Sequence, residues 1–148
     1  MGSQRKLIEG GGFSEYLYKQ VGETLYMNGL KCKTIVKIDA KDKHDGLPLY
    51  SNTSDIYFKI SNKTGEVEQI RVYENRKPLL DIDWGHEHQN EDTKMTFPIG
   101  VAHVQEWSFD SKSGKPVRSE IAHFITDVEF EKYGEIIKKV YPNIKFRL

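Results

Sequence analysis

Thiol chemistry is nearly absent from this chain: Cys32 is its only cysteine. No intramolecular disulfide can form, so the fold must stand on packing, and the expected setting is a reducing compartment or a small buried side chain. No apolar run approaches the roughly 20 residues that a membrane-crossing helix needs, and the opening residues hold no apolar signal core. A charge of one sign is also missing, since 22 basic residues face 22 acidic ones. Nothing global draws the molecule to nucleic acid or to a membrane, and either partner would have to be met by a local patch. Without a secretion signal, the two glycosylation-type triplets at Asn52 and Asn62 read as turn residues.

What is present points to one folded domain. The chain has 148 residues, 37% hydrophobic and 30% charged, with a mean hydropathy of −0.63. Eight tyrosines and seven phenylalanines supply the apolar area that a polar composition would otherwise lack. Residues 1–12, with three consecutive glycines, read as a flexible lead joining the domain to something larger, and residues 13–148 as a single α+β domain. Phe13 to Val21 could form one or two helical turns. Two short strands then flank Asn28-Gly29, a strong hairpin signal, with Lys31, Lys33 and Lys37 expected on a solvated face. A polar loop precedes a second hairpin, turning at Asn62 to Gly65. "LLDIDW", "VAHVQEWSFD", "VRSEIAHFI" and the closing "NIKFRL" read as further strands. One helix is plain in "TDVEFEKYGEIIKKVY". Thr126 and Glu129 form a capping box, acids sit at its start, Lys138 and Lys139 near its end, and Pro142 stops it. Phe130, Tyr133, Ile137 and Val140 should turn one face to the sheet. The expected architecture is a bent antiparallel sheet of hairpins with one packed C-terminal helix.

The chemistry-bearing residues concentrate between Leu79 and Trp107. Alternation along a strand sends Leu79, Asp81 and Asp83 one way and Leu80, Ile82 and Trp84 the other. Gly85 releases the chain into a loop with His86 and His88. On the following strand Val101, His103, Gln105 and Trp107 share one face, and Glu106 points away. If the two strands pair, Asp81, Asp83, His86, His88 and His103 can meet. Imidazoles titrate near neutral pH, so two of them beside a phosphodiester can take and return a proton, the minimal apparatus for cleaving RNA through its own 2′-hydroxyl. In that reading His86, His88 and His103 are the acid/base candidates and Asp81 and Asp83 orient them. Arg71 is a phosphate contact, and Tyr73 positions a base or phosphate. No cofactor is then required. The alternative makes His86, His88 and His103 ligands of a divalent transition metal, and the acidity of Asp81, Asp83, Glu87, Glu91 and Asp92 favours a cation over a phosphate backbone. The other two histidines have plainer readings, His44 in a solvated loop and His123 as a hydrogen-bonded sheet residue.

"HEH" followed by "PIGVAH" also looks like the two halves of a cupin metal signature, although the halves are nearly fused and too few strands surround them. A second resemblance covers the chain from about Asp55 onward. "VYENRKPLLDIDWGHEHQN", "PIGVAHVQEW" and "EKYGEIIKKVYPNIKFRL" resemble C-terminal toxin-like modules of Gram-positive phage head-associated proteins and polymorphic toxins. Those modules carry a D-x-D-[WF]-x-H-x-H stretch, a Gly-Val-x-His-Val-x-Glu-Trp strand and a terminal helix. The matching positions here are Asp81, Asp83, His86, His88, His103 and Glu106. Gln105 departs from relatives that carry a second His-x-His on this strand. The resemblance implies a toxin-like, nuclease-type domain acting on RNA, with a neutralising (immunity) protein or a phage or secretion component as partner and no membrane. It would be cytoplasmic in the producing cell, delivered into a target cell, or associated with a phage particle. The alternative is a non-catalytic metal- or ligand-binding module of such an assembly.

Overall fold

The computed structural model of the chain describes residues 8–9, 18–37, 46–51, 53–61 and 63–148. Alternating side chains in three neighbouring strands build its centre: β5 (Ile56–Ile60), β6 (Val67–Glu74) and β7 (Lys77–Asp83). Before them come β1 (Ile8–Glu9), β2 (Tyr18–Gln20), β3 (Leu25–Met27) and β4 (Leu30–Lys37). After them come β8 (His88–Gln89), β9 (Thr96–Phe97), β10 (His103–Phe109), β11 (Pro116–Arg118) and the one helix among the described residues, α1 (Asp127–Val140). The main sheet runs β1-β2-β4-β5-β6-β7-β10-β11 with β3 also beside β4, while β8 and β9 form a separate two-stranded ribbon. The α+β class is as expected, but the sheet is mixed: β4 and β5 run parallel.

Cross-strand register sorts the side chains into two faces. Cys32, Ile56, Val72 and Leu80 form one row, and Thr34, Phe58, Ile70, Ile82 and Val104 the next. Against these rows packs α1, burying Tyr133, Ile136 and Ile137 together with Trp84. Full burial of one such large apolar side chain contributes about 1.5–3 kcal/mol. The capping box forms as the sequence indicates, with Thr126 Oγ1 accepting from Glu129 N at 3.1 Å and Glu129 Oε1 accepting from Thr126 N at 3.0 Å.

The opposite face carries the rows Lys33–Tyr57–Arg71–Asp81–Gln105 and Ile35–Lys59–Gln69–Asp83–His103. The segment 46–51 lies across part of it. Tyr18 Oη donates to Gly46 O at 2.6 Å, Tyr73 Oη donates to Pro48 O, and Tyr18, Ile35, Leu47, Tyr57 and Tyr73 form a second apolar cluster. This cover explains why Lys33, expected in a solvated row, is buried and donates to Thr53 Oγ1 at 2.8 Å.

The Asn28-Gly29 turn has positive φ at both residues, 53° and 77°, as a two-residue hairpin of the I′ kind requires. Elsewhere local reading and structure part. Tyr18–Gln20, assigned to helical turns, is a strand paired with β4, and Val21 N, at the end of that stretch, donates to Thr34 O at 2.8 Å; Phe13 to Leu17 lie outside the described residues, as do His44, Asn52 and Asn62. Ile8–Glu9 pairs with β2, so strand pairing reaches into the stretch read as a lead. The strand after the 111–115 turn stops at Arg118, and only an isolated bridge between His123 and Val104 follows. "NIKFRL" forms no strand; a single parallel bridge joins Lys145 to Val101.

Candidate functional site

β7 and β10 pair antiparallel, setting His103 opposite Asp83 and Gln105 opposite Asp81. Both aspartates therefore leave the same face of β7, as the alternation requires, yet two residues of displacement give them different surroundings. Asp81 is only 1% exposed. Its Oδ1 accepts from Arg71 Nε at 2.6 Å and Trp107 Nε1 at 3.1 Å. Its Oδ2 accepts from Arg71 Nη2 at 3.0 Å, Arg118 Nη1 at 2.9 Å and Gln69 Nε2 at 3.2 Å. Burial alone would raise its pKa. The Arg71 charge and the donated hydrogen bonds outweigh that penalty and hold the carboxyl below its ordinary range. Among the described residues no imidazole is a partner of Asp81, and the aspartate that has histidines beside it is Asp83.

Arg71 is equally committed. Beyond the fork on Asp81, its Nη1 donates to Leu47 O at 2.8 Å and Pro48 O at 3.2 Å, and its guanidinium carbon lies 4.8 Å from the Trp107 ring centroid. Arg71 and Tyr73, read from the sequence as substrate contacts, are both buried, with Arg71 Nη1 and Tyr73 Oη turned to the 47–48 backbone. Of the two guanidiniums on Asp81, the one that reaches the surface is Arg118. No spacing in the sequence marked it, because β11 brings it to Asp81 from 37 residues away.

The histidines assemble around Asp83. Asp83 Oδ1 accepts from Gly85 N at 2.9 Å and His86 N at 3.2 Å, fixing the start of the loop. Its Oδ2 lies 3.4 Å from His86 Nδ1. Gly85 is required there: Trp84 N and Gly85 N both donate to Glu68 O, and a Cβ at position 85 would stand 2.6 Å from Glu68 Cβ. The β8–β9 ribbon then folds back so that the His88 ring stacks on His103, with centroids 5.2 Å apart and planes at 22°. His88 Nε2 faces Asn90 Oδ1 at 3.1 Å and Glu120 O at 2.9 Å, two acceptors, so it carries the proton. Asn90 is itself oriented by a two-point pairing with the backbone of Ala122, at 2.8 Å each way. His103 is 3% exposed, its ring also meets Phe97 at 5.6 Å, and its buried Nδ1 has no hydrogen-bond partner among the described residues.

These surroundings drive two imidazoles apart. The hydrogen bond that the His86 ring donates to Asp83, with the charge of that carboxylate, raises the pKa of exposed His86. Burial lowers that of His103, and the nearby His88 and Arg118 add to the depression against the pull of Asp83. One is stabilised as imidazolium and the other as neutral base. The alternative of a metal on His86, His88 and His103 finds less support in the geometry. Among the described residues, the group whose ligating atoms converge is Glu106, His123 and Glu129, on the other side of the sheet.

No protein-family model, no curated protein and no solved structure matches this chain. Among the described residues, no helix is long and apolar enough to cross a membrane. The sheet and helix, at the level of an α+β class, thus stand on the chain's own geometry.

Proposed function

We propose that the His86–Asp83–His103 cluster is an acid/base site that cleaves RNA phosphodiester bonds, in a toxin-like domain of the phage head-associated and polymorphic-toxin kind. The observation that carries this reading is the placement of two imidazoles around one carboxylate, His103 opposite Asp83 in the strand register and His86 Nδ1 3.4 Å from Asp83 Oδ2, in surroundings that push them in opposite directions. Opposed shifts are how one site keeps an acid and a base at the same pH. Neutral His103 takes the proton of the 2′-hydroxyl, and the 2′-oxygen attacks phosphorus. The bond to the 5′-oxygen breaks, and that oxygen leaves with the proton of His86. The products are a 2′,3′-cyclic phosphate end and a free 5′-hydroxyl. Arg118 is the cation near enough to His103 to affect its charge, and it replaces Arg71 as the phosphate contact in this reading. His88 covers His103, so the substrate must displace its ring.

The test is cleavage of a labelled RNA pool by the purified chain with and without EDTA, beside single variants. His86→Ala and His103→Ala should each lower turnover by about 10²–10⁴-fold, the range for loss of a general acid or base. His88→Ala should retain measurable turnover. Equal activity in the His103→Ala protein, or no cleavage by the parent chain, overturns the assignment. A second reading, a non-catalytic binding module of a virion or secretion assembly, is favoured by the exposed acids Glu87, Glu91 and Asp92 beside the cluster, which repel a phosphate backbone. Absence of cleavage would select it.

A further inference from the structure

On the helix-facing side of β10, opposite the histidine cluster, three side chains from separate elements meet. Glu106 lies two residues beyond Val104 on that face of β10. His123 is fixed by its backbone bridge to Val104, with hydrogen bonds of 2.8 and 3.0 Å. Glu129 is the third residue of α1 and is held by the capping box. Their ligating atoms all lie within 4.8 Å of one another. Two carboxylates and an imidazole are a mixed oxygen and nitrogen donor set suited to a first-row divalent ion. Zinc-to-ligand distances of about 2.0–2.2 Å place tetrahedral ligands about 3.3 Å apart. His123 Nε2 already stands 3.1 and 3.2 Å from the two oxygens of Glu129. The Thr126 N–H on Glu129 Oε1 fixes that carboxylate from behind, as supporting hydrogen bonds do at metal sites. Among the described residues, the Glu106 carboxylate has no hydrogen bond or ion pair. A groove of about 410 Å³, lined by Glu106 and Glu129 with Leu80, Trp107, Lys132 and Tyr133, opens beside the three.

We infer that Glu106, His123 and Glu129 bind one divalent transition-metal ion, of the Zn²⁺ class, at the mouth of this groove. Three protein ligands leave a coordination position open, and the groove gives water or a small ligand access to it. This site shares no ligand with the acid/base cluster and does not depend on it.

Calorimetric titration of the chelator-treated full chain with ZnCl₂ tests the inference. One ion should bind per chain, and Glu106→Gln should weaken binding at least about a hundredfold, since even loss of a supporting hydrogen bond at a metal site costs 10–100-fold. His123→Ala should abolish it, while His86→Ala and His103→Ala should leave it unchanged. Glu106 is exposed, so its amide variant keeps the fold even if His123→Ala does not, and circular dichroism verifies this for each. No saturable binding, or binding that survives Glu106→Gln, or binding lost with His86→Ala or His103→Ala instead, overturns the site. Because Glu106→Gln should leave RNA cleavage intact, failure here is distinguishable from failure of the acid/base reading.

Discussion

Asp81→Asn is the substitution that most directly probes how this sheet is held. The side chain keeps its shape, but a buried anion with five donors becomes an amide with one acceptor oxygen and two donors of its own. Arg71, 6% exposed, is left charged without its counterion. Breaking a buried pair from one side costs about 3–5 kcal/mol, against a total stability of about 5–15 kcal/mol for a typical domain. With a urea slope of about 2 kcal/mol/M, the midpoint of unfolding should fall by about 2 M. The assay is equilibrium urea unfolding followed by tryptophan fluorescence, which Trp107, bonded to Asp81, should report directly. The parent protein should also lose stability in acid. The folded Asp81 binds its proton less readily than the unfolded one, so its contribution is complete above the unfolded value of about 3.9 and is lost as pH falls through the lowered folded value. A midpoint shift below about 0.5 M would refute the reasoning, because it would mean that water already satisfies Arg71 and that the network does not hold β6, β7 and β11 together.

The histidines should show opposite titrations by NMR, His86 above and His103 below the ordinary value of about 6.5. Hence His103 contributes stability that is complete above about pH 6.5 and is lost as pH falls through its lowered folded value, whereas the His86 contribution is present below about pH 6.5 and is lost as pH rises through its raised one; coincident titrations would remove the basis for the acid/base pair. Gly85→Ala should destabilise by about 1–3 kcal/mol, as overpacking does, because its Cβ would meet Glu68 at 2.6 Å, and an unchanged melting temperature would show that the strands part at no cost. Asn90→Ala leaves the buried N–H and C=O of Ala122 unpaired, about 1–3 kcal/mol for each group not reached by water. It should raise amide exchange around residues 120–123 and loosen His88 from His103, read as a change in the His103 titration; unchanged exchange would deny Asn90 its clamping role.

The strength of local signals tracks how local their causes are. Thr126 and Glu129 bond within one turn of helix, and Asn28-Gly29 closes a two-residue hairpin, so both could be read directly. Leu80, Ile82 and Trp84 do share one face, the one packed into the core, because period-two alternation is a property of the strand itself. Tyr18–Gln20 and "NIKFRL" misled because short apolar stretches take their conformation from the partner they find, β4 in the first case and only a bridge to Val101 in the second.

The sequence by itself determined the α+β class, the helix with its capping box, and the alternation that puts Asp81 and Asp83 on one face of "LLDIDW" and His103 with Gln105 on one face of "VAHVQEW". All of these follow from spacing along the chain and the fixed geometry of helix and strand. Only the tertiary structure decided that these two strands pair in the register that sets His103 opposite Asp83, and what each polar residue does. Asp81 and Asp83 are identical in type and share a face, yet one is enclosed by Arg71, Arg118, Gln69 and Trp107 while the other holds a loop and an exposed imidazole. That difference comes from which distant segments, 46–51 and 116–123, close over the sheet. Burial and charge partners are set by such long-range contacts, and no alternation within a strand encodes them.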